Sequence, residues 1–273
     1  MPFIEIPQSP LAGNRSTRIH YREEGQGIPL IFLHGGWGYE IYPFDKQIEA
    51  FRNRFRIIIP DRSGYGRSTR IDSMSADFHQ HAANETLLLL NKLEIDRALL
   101  WGHSDGSIIA VKMALAEPSR FFAIILEAFH FYRFKPASRQ FFETMMLDPK
   151  SLGERVTEVL VRDHGEKDWF KIIEMNGAAW LKIAEESPTE KSDLYDGRLS
   201  ELQTPAIFLH GKYDPRTEPD ELAAVQRHLP HTLIHLIEEG KHSPHSERAA
   251  ADRTIKISSE FIEAYTNFEK QNH

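Results

Sequence analysis

Short apolar runs alternate along the chain with longer stretches in which apolar residues return every three or four positions. The short runs show little apolar–polar alternation, so they predict strands of a parallel sheet that is covered on both faces. The predicted strands are Arg18–Glu23, Leu30–Leu33, Phe55–Ile59, Arg97–Trp101, Phe121–Leu126, Ala206–Leu209 and Thr232–Ile237. The predicted helices are Tyr42–Arg52, Ala76–Lys92, Asp105–Glu117, Glu218–Arg227 and Glu247–Phe268. This order predicts an α/β fold.

One region interrupts the alternation of strands and helices. Roughly eighty residues separate the strand that ends near Leu126 from the strand that starts at Ala206, whereas connections in α/β units usually take about 2–6 residues. Apolar periodicity predicts three helices there, at Ser138–Leu147, Ser151–His164 and Trp169–Ile183. The region is also rich in aromatic side chains: Phe129, Phe131, Tyr132, Phe134, Phe141, Phe142, Trp169, Phe170 and Trp180.

A candidate nucleophile lies in the run Gly102-His103-Ser104-Asp105-Gly106, between a predicted strand and a predicted helix. Gly-x-Ser-x-Gly in this context is typical of a nucleophile elbow, a tight turn that exposes the serine hydroxyl. Glycine on both sides removes the side-chain clashes that such a turn creates. The helix dipole at this position favours a developing negative charge.

Two further groups complete a candidate catalytic triad in the order serine, acid, histidine. Asp214 follows the strand Ala206–Leu209, at the sheet edge where catalytic groups collect in parallel α/β proteins. His242 follows another strand and comes two residues after Gly240. The alternatives are Glu127 as the acid and His245 as the base. Imidazole can take the proton of a serine hydroxyl, and a carboxylate fixes its tautomer.

An oxyanion hole requires backbone N–H groups that point at the reacting carbonyl oxygen. One donor is expected from Asp105, directly after the nucleophile. The glycine-rich run His34–Gly38 follows a predicted strand, and Gly36 or Trp37 is expected to supply the second donor.

Composition narrows the class of protein. The 273 residues are 41% hydrophobic and 27% charged, as in a globular protein with a substantial core. A formal net charge of -7 without a basic tract argues against nucleic acid as a partner. There is no cysteine, so disulfides and a thiol nucleophile are excluded. No signal peptide or membrane-spanning run is visible, and we expect a cytoplasmic monomer or homodimer without membrane association.

Histidines crowd the segment from 228 to 245, which raises the question of a metal site. No carboxylate cluster with ligand spacing accompanies them, so we expect no metal.

Five landmarks, in this order, resemble the α/β-hydrolase fold serine hydrolases, including their carboxylesterases. They are His34–Gly38, Asp61–Ser68, Gly102–Gly106, His210–Asp214 and Gly240–His242. The resemblance implies a mostly parallel sheet covered by helices, formed by residues 1–128 and 203–273, with a helical cap at 129–202. In that family the turn at Asp61 is structural. The cap aromatics, as a group, would line an apolar substrate pocket.

The resemblance also implies an activity. We expect a cofactor-independent hydrolase that cleaves small or medium carboxylic esters, with Ser104, His242 and Asp214 as the triad. Alternatives are an aminopeptidase of the proline iminopeptidase kind, a carbon–carbon bond hydrolase, and a hydrolase-like receptor that senses its ligand. The sequence departs from the common pattern at Lys241, Asp105 and Ser107, and the first two place charges beside the site.

Overall fold

An eight-stranded sheet forms the centre of the protein, of which the computed structural model describes residues 2–266. The strands are β1 (Phe3–Ser9), β2 (Arg15–Glu24), β3 (Ile28–Leu33), β4 (Phe55–Pro60), β5 (Ala98–His103), β6 (Phe121–Glu127), β7 (Ala206–Gly211) and β8 (Leu233–Ile237). Their order across the sheet is β1-β2-β4-β3-β5-β6-β7-β8. Pairing is antiparallel from β1 to β2 and from β2 to β4, and parallel between all other neighbours. The predicted α/β class and mostly parallel sheet are confirmed.

Strand β1 was not predicted from the sequence. It pairs with β2, and its register shifts between Ile6 and Ser9. Pro7 lies at this irregularity and cannot donate a ladder hydrogen bond, which confines it to an edge strand or a bulge. The proline also breaks the apolar–polar alternation that would otherwise have indicated a strand.

Helices occupy the predicted stretches between the strands, with shifted ends. They are α1 (Asp45–Phe51), α2 (Phe78–Lys92), α3 (Asp105–Ala116), α7 (Glu221–His228) and α8 (Ala251–Thr266). Helix α8 begins four residues later than predicted. Glu247 instead accepts hydrogen bonds from the backbone N–H groups of Lys241 and Ser243, in the loop before it. The predicted end of this helix, at 267–268, lies outside the described residues.

Three further helices lie between β6 and β7: α4 (Arg139–Leu147), α5 (Glu154–His164) and α6 (Trp169–Glu185). Helices α4 and α6 pack closely at Gly177, where an added Cβ would lie only 2.7 Å from the Phe142 carbonyl oxygen. The three helices match the predicted ones. The division into a core and a separate cap unit stays a prediction.

Both faces of the sheet are buried, which explains why the strand sequences lack alternation. Along β5, Leu100 packs in one core cluster with helix α3, whereas Leu99 and Trp101 pack in a second cluster on the opposite face. Because β3, β5, β6 and β7 pair in parallel, their carboxyl ends meet at one edge of the sheet. No helix within residues 2–266 is long and apolar enough to span a membrane.

Candidate active site

Ser104 lies in a strained turn between β5 and α3. Its φ is 53° and its ψ is -121°, a conformation that residues other than glycine rarely adopt. A Cβ on Gly102 would overlap the Gly106 carbonyl, and a Cβ on Gly106 would overlap the carbonyl oxygen of Leu33. Only glycine therefore fits at positions 102 and 106, two residues before and two residues after the serine.

Ser104, His242 and Asp214 lie together, although 138 residues separate the serine from the histidine along the chain. The distance from His242 Nε2 to Ser104 Oγ is 3.1 Å, and His242 Nδ1 lies 3.0 Å from each carboxylate oxygen of Asp214. When His242 carries its proton on Nδ1, this N–H group donates to the carboxylate, and Nε2 is free to accept from the serine hydroxyl. This arrangement can deprotonate Ser104.

Asp214 is held as a carboxylate. Burial by itself would raise its pKa, but the neighbouring His242 ring, by charge and by hydrogen bonding, lowers the pKa below its usual range. His210 acts in the same direction, and the backbone N–H of Arg216 donates to Asp214 Oδ1 at 2.8 Å. The acid therefore stays ionised at neutral pH.

Glu127 and His245, the alternative acid and base, are paired with each other away from Ser104. His245 donates to Glu127 Oε1 from its backbone N–H and from its ring Nδ1, both at 2.8 Å. Trp101 Nε1 donates to the second carboxylate oxygen at 3.0 Å, and the His245 ring stacks on Phe44. Both partners are fully buried. Their geometry fits a structural clamp between β6 and the loop before α8.

The glycine-rich loop after β3 is held by its carbonyl groups. The buried guanidinium of Arg62 donates to the carbonyls of His34 (2.5 Å) and Gly35 (2.9 Å). His164, at the end of α5, lies 2.9 Å from the Trp37 carbonyl through Nε2, so its ring donates there. With its carbonyls engaged, the loop is fixed in one orientation.

Amide groups of the same loop remain available. Within residues 2–266, the backbone N–H groups of Gly36, Trp37 and Asp105 make no hydrogen bond. A Cβ built on Gly35 would lie 3.2 Å from Ser104 Cβ, so the loop runs directly beside the serine. These amides can donate to an oxygen bound next to Ser104.

The side chain of Asp105 connects the start of α3 to α6. Its Oδ1 accepts from Trp180 Nε1 (3.1 Å) and lies 3.2 Å from His79 Nε2, and its Oδ2 accepts from Asn176 Nδ2 (3.0 Å). Burial alone would raise its pKa, but the His79 hydrogen bond and nearby charges lower the pKa to about 2. This departure from the common family pattern thus fastens α6 over Ser104.

Ser107, another departure from that pattern, supports the elbow itself. Its hydroxyl donates to the Ser104 carbonyl oxygen at 2.6 Å.

A cavity of about 250 Å³ opens at Ser104 and His242. Of the aromatic residues singled out between β6 and β7, Phe141, Phe142 and Trp180 line it, and the other six do not. Trp169, for example, is buried in the hydrophobic core. The expectation of an aromatic pocket wall therefore applies to α4 and α6 only.

Sequence reasoning missed several residues that line the cavity, among them Tyr42, Asn176, His130 and Arg216. Tyr42 and Asn176 gave no sequence signal, because their positions depend on how distant segments fold over the sheet edge. His130 and Arg216 could have been found, since each lies just beyond the carboxyl end of a strand, as the candidate acid does.

Among the described residues, no group of three His, Cys, Asp or Glu side chains is placed to hold a metal ion.

Comparison with known proteins agrees with this fold. The model of the alpha/beta hydrolase family matches residues 30–253. Human serine hydrolase BPHL is 25% identical over 251 residues, covering 90% of this chain and 84% of the human protein. The pimeloyl-(acyl-carrier protein) methyl ester esterase of Legionella pneumophila is 26% identical, covering 89% and 99%. The structure of a thermophilic esterase from Thermogutta terrifontis superimposes with a TM-score of 0.73 at 22% identity, covering 97% and 99%.

Proposed function

This chain belongs to the alpha/beta hydrolase family, and we propose that it is a serine hydrolase that cleaves small carboxylic esters through an acyl-enzyme. Ser104 is the nucleophile, His242 the general base and Asp214 the group that orients the histidine. The observation that carries the proposal is the continuous hydrogen-bonded chain from Ser104 Oγ through His242 to Asp214, at 3.1 and 3.0 Å.

In the acylation step, Ser104 Oγ attacks the ester carbonyl carbon while His242 Nε2 takes the hydroxyl proton. The carbonyl oxygen becomes an oxyanion that accepts hydrogen bonds from the Asp105 N–H and from the N–H of Gly36 or Trp37. Each such donor is worth about 10²–10³ in turnover. The intermediate then collapses, and the alcohol leaves with the proton from His242.

Deacylation repeats these steps with water as the nucleophile. His242 takes a proton from the water, which attacks the acyl carbon, and the proton returns to Ser104 Oγ as the carboxylic acid leaves. Throughout both steps, the Asp214 carboxylate stabilises the imidazolium and keeps the Nδ1 proton in place.

Two observations support the substrate class, one for its size and one for the bond that is cleaved. The cavity, at about 250 Å³, is below the usual range for drug-sized ligands, about 300–1,000 Å³. The Legionella pneumophila relative, which is matched over 99% of its length, is named a pimeloyl-(acyl-carrier protein) methyl ester esterase, and this supports an ester as the bond. We further propose that residues 129–202 act as a cap, a role supported by the hydrogen bonds from Asn176 and Trp180 to Asp105.

The test is a substrate panel of short acyl esters, amino-acyl arylamides and β-diketones, assayed with the wild type and with Ser104→Ala. We expect ester turnover, with a loss on the order of 10⁶ in kcat for Ser104→Ala. Turnover of the arylamides or diketones alone would favour the aminopeptidase or the carbon–carbon hydrolase. A single slow turnover followed by a stable conformational change would favour a receptor.

A further inference from the structure

Arg216 places a positive charge on the wall of the catalytic cavity. It follows Asp214 by two residues, and its backbone N–H donates to that carboxylate. Its guanidinium lies over the ring of Phe141 on α4, and both residues line the cavity. The Arg216 side chain therefore reaches from the loop that carries Asp214 to helix α4.

The carboxylates around the cavity are engaged elsewhere. Glu247 accepts the backbone N–H groups of Lys241 (2.8 Å) and Ser243 (3.1 Å), and Asp214 binds His242. Asp105 accepts donors from α6, as described above. Within residues 2–266, the Arg216 side chain forms no ion pair, and Asp214 acts on it only at longer range.

Burial removes part of the water that would solvate the charge of Arg216. This loss of solvation lowers the pKa of the guanidinium to about 10, even though Tyr42 and Asp214 favour the charged form. The group stays charged at neutral pH, and it is less well solvated than a guanidinium in water.

Tyr42 lies beside this charge and close to the triad. Its ring centroid is 6.3 Å from that of His242, and its hydroxyl interacts electrostatically with Arg216. Burial raises the pKa of Tyr42, so the hydroxyl keeps its proton and can donate. Two donors, one of them charged, thus line the cavity next to the reacting centre.

We propose that Arg216, assisted by Tyr42, binds a free carboxylate on the substrate, so that the enzyme prefers esters that keep a second, anionic carboxyl group. This inference rests on the proposed function and specifies its substrate class. A planar guanidinium matches a carboxylate with two parallel hydrogen bonds. The small cavity requires that the carboxylate be only a few bonds away from the ester carbonyl.

The carboxylate can belong to the acyl part or to the alcohol part, and two pairs of substrates separate these cases. Monomethyl succinate and its neutral analogue methyl succinamate test the acyl side. Acetoxyacetate and acetoxyacetamide test the alcohol side. In at least one pair, the wild type should show at least a tenfold higher kcat/KM for the anionic ester. Hydrogen bonds to charged groups contribute about 1.5–3 kcal/mol, so Arg216→Met should lower this anionic-to-neutral ratio about 10–100-fold.

Arg216→Lys should restore part of the ratio, because it keeps the charge without the planar donor pair. Arg198→Met is the matched control: Arg198 is exposed, pairs with Glu201 and lies outside the cavity lining, so its ratio should equal the wild type's. No preference in either pair would overturn the proposal. An equal loss for both members of a pair in Arg216→Met would also overturn it and assign Arg216 to packing against Phe141.

Calorimetry separates failure of the carboxylate site from failure of the ester hydrolase itself. If the wild type cleaves none of the four esters and none of the short acyl esters of the substrate panel, the proposed function fails. The carboxylate site is then tested by titrating succinate and succinamide into the wild type and Arg216→Met. Tighter binding of succinate that is lost in Arg216→Met supports the site, and equal binding of the two compounds overturns it.

Discussion

The two histidine–carboxylate pairs should respond in opposite ways to the same chemical change. Asp214→Asn and Glu127→Gln each replace a buried carboxylate with its amide at nearly constant shape. Loss of the triad carboxylate disturbs the tautomer of His242, and we expect kcat to fall about 10⁴-fold in Asp214→Asn. In Glu127→Gln we expect kcat to stay within about threefold of the wild type, because neither Glu127 nor His245 side chain contacts Ser104 Oγ.

Glu127→Gln should instead lower the stability of the protein. The Glu127 carboxylate accepts three hydrogen bonds, at 2.8, 2.8 and 3.0 Å, from groups buried with it. Hydrogen bonds to charged acceptors contribute about 1.5–3 kcal/mol and neutral ones about 0.5–1.5 kcal/mol. Because the new amide also turns an N–H group toward one of the donors, the free energy of unfolding should fall by about 2–4 kcal/mol.

Two measurements are made on the same preparations. Turnover of a short activated ester is measured under conditions in which the less stable variant is still folded, and stability is measured by urea unfolding. The reasoning is refuted if Glu127→Gln loses several decades of kcat while remaining as stable as the wild type. It is also refuted if Asp214→Asn turns over normally, since the acid would then have been assigned to the wrong pair.

Three further predictions concern the surroundings of the triad. Burial lowers the pKa of His103 to about 3, so below pH 6.5 the unfolded chain binds a proton that the folded chain lacks. The free energy of unfolding should therefore fall with decreasing pH by up to about 1.4 kcal/mol per unit from this group, and urea titrations at pH 4–7 should show a shallower slope for His103→Gln. Gly106→Ala would push a methyl group against the Leu33 carbonyl, so kcat should fall at least about 100-fold and Tm should fall, as kinetics and calorimetry would show. Phe142→Ala should change the ranking of short, long and aromatic esters, whereas Trp169→Ala should lower Tm and keep the ranking; identical rankings in both would contradict a specificity role for the cavity wall.

Local patterns in the sequence were sufficient to predict the tight turn at Ser104 and most of the sheet. Ser104 sits between a buried strand and a helix, and the flanking glycines at 102 and 106 are required by contacts within a few ångströms. Asp214 and His242 were predicted because each follows a strand, and parallel strands end at one edge. These predictions needed no knowledge of how distant segments pack.

The missed features depend on such packing. That Glu127 binds His245 follows from the approach of the loop before α8 to β6, over 118 residues of chain. Asn176 reaches Asp105 only because α6 lies across the start of α3. The charge of Arg216 gained significance only once the neighbouring carboxylates were seen to be engaged by other groups.

Covalent trapping of Ser104 tests the central claim most directly. A fluorophosphonate probe reacts with an activated serine, and digestion followed by mass spectrometry locates the adduct. The mechanism predicts a single adduct on the peptide that contains Ser104, no adduct in Ser104→Ala, and labelling slowed by several decades in His242→Ala but not in His245→Ala. An adduct on another residue, or labelling of Ser104 that is independent of His242, would contradict the assignment of this triad.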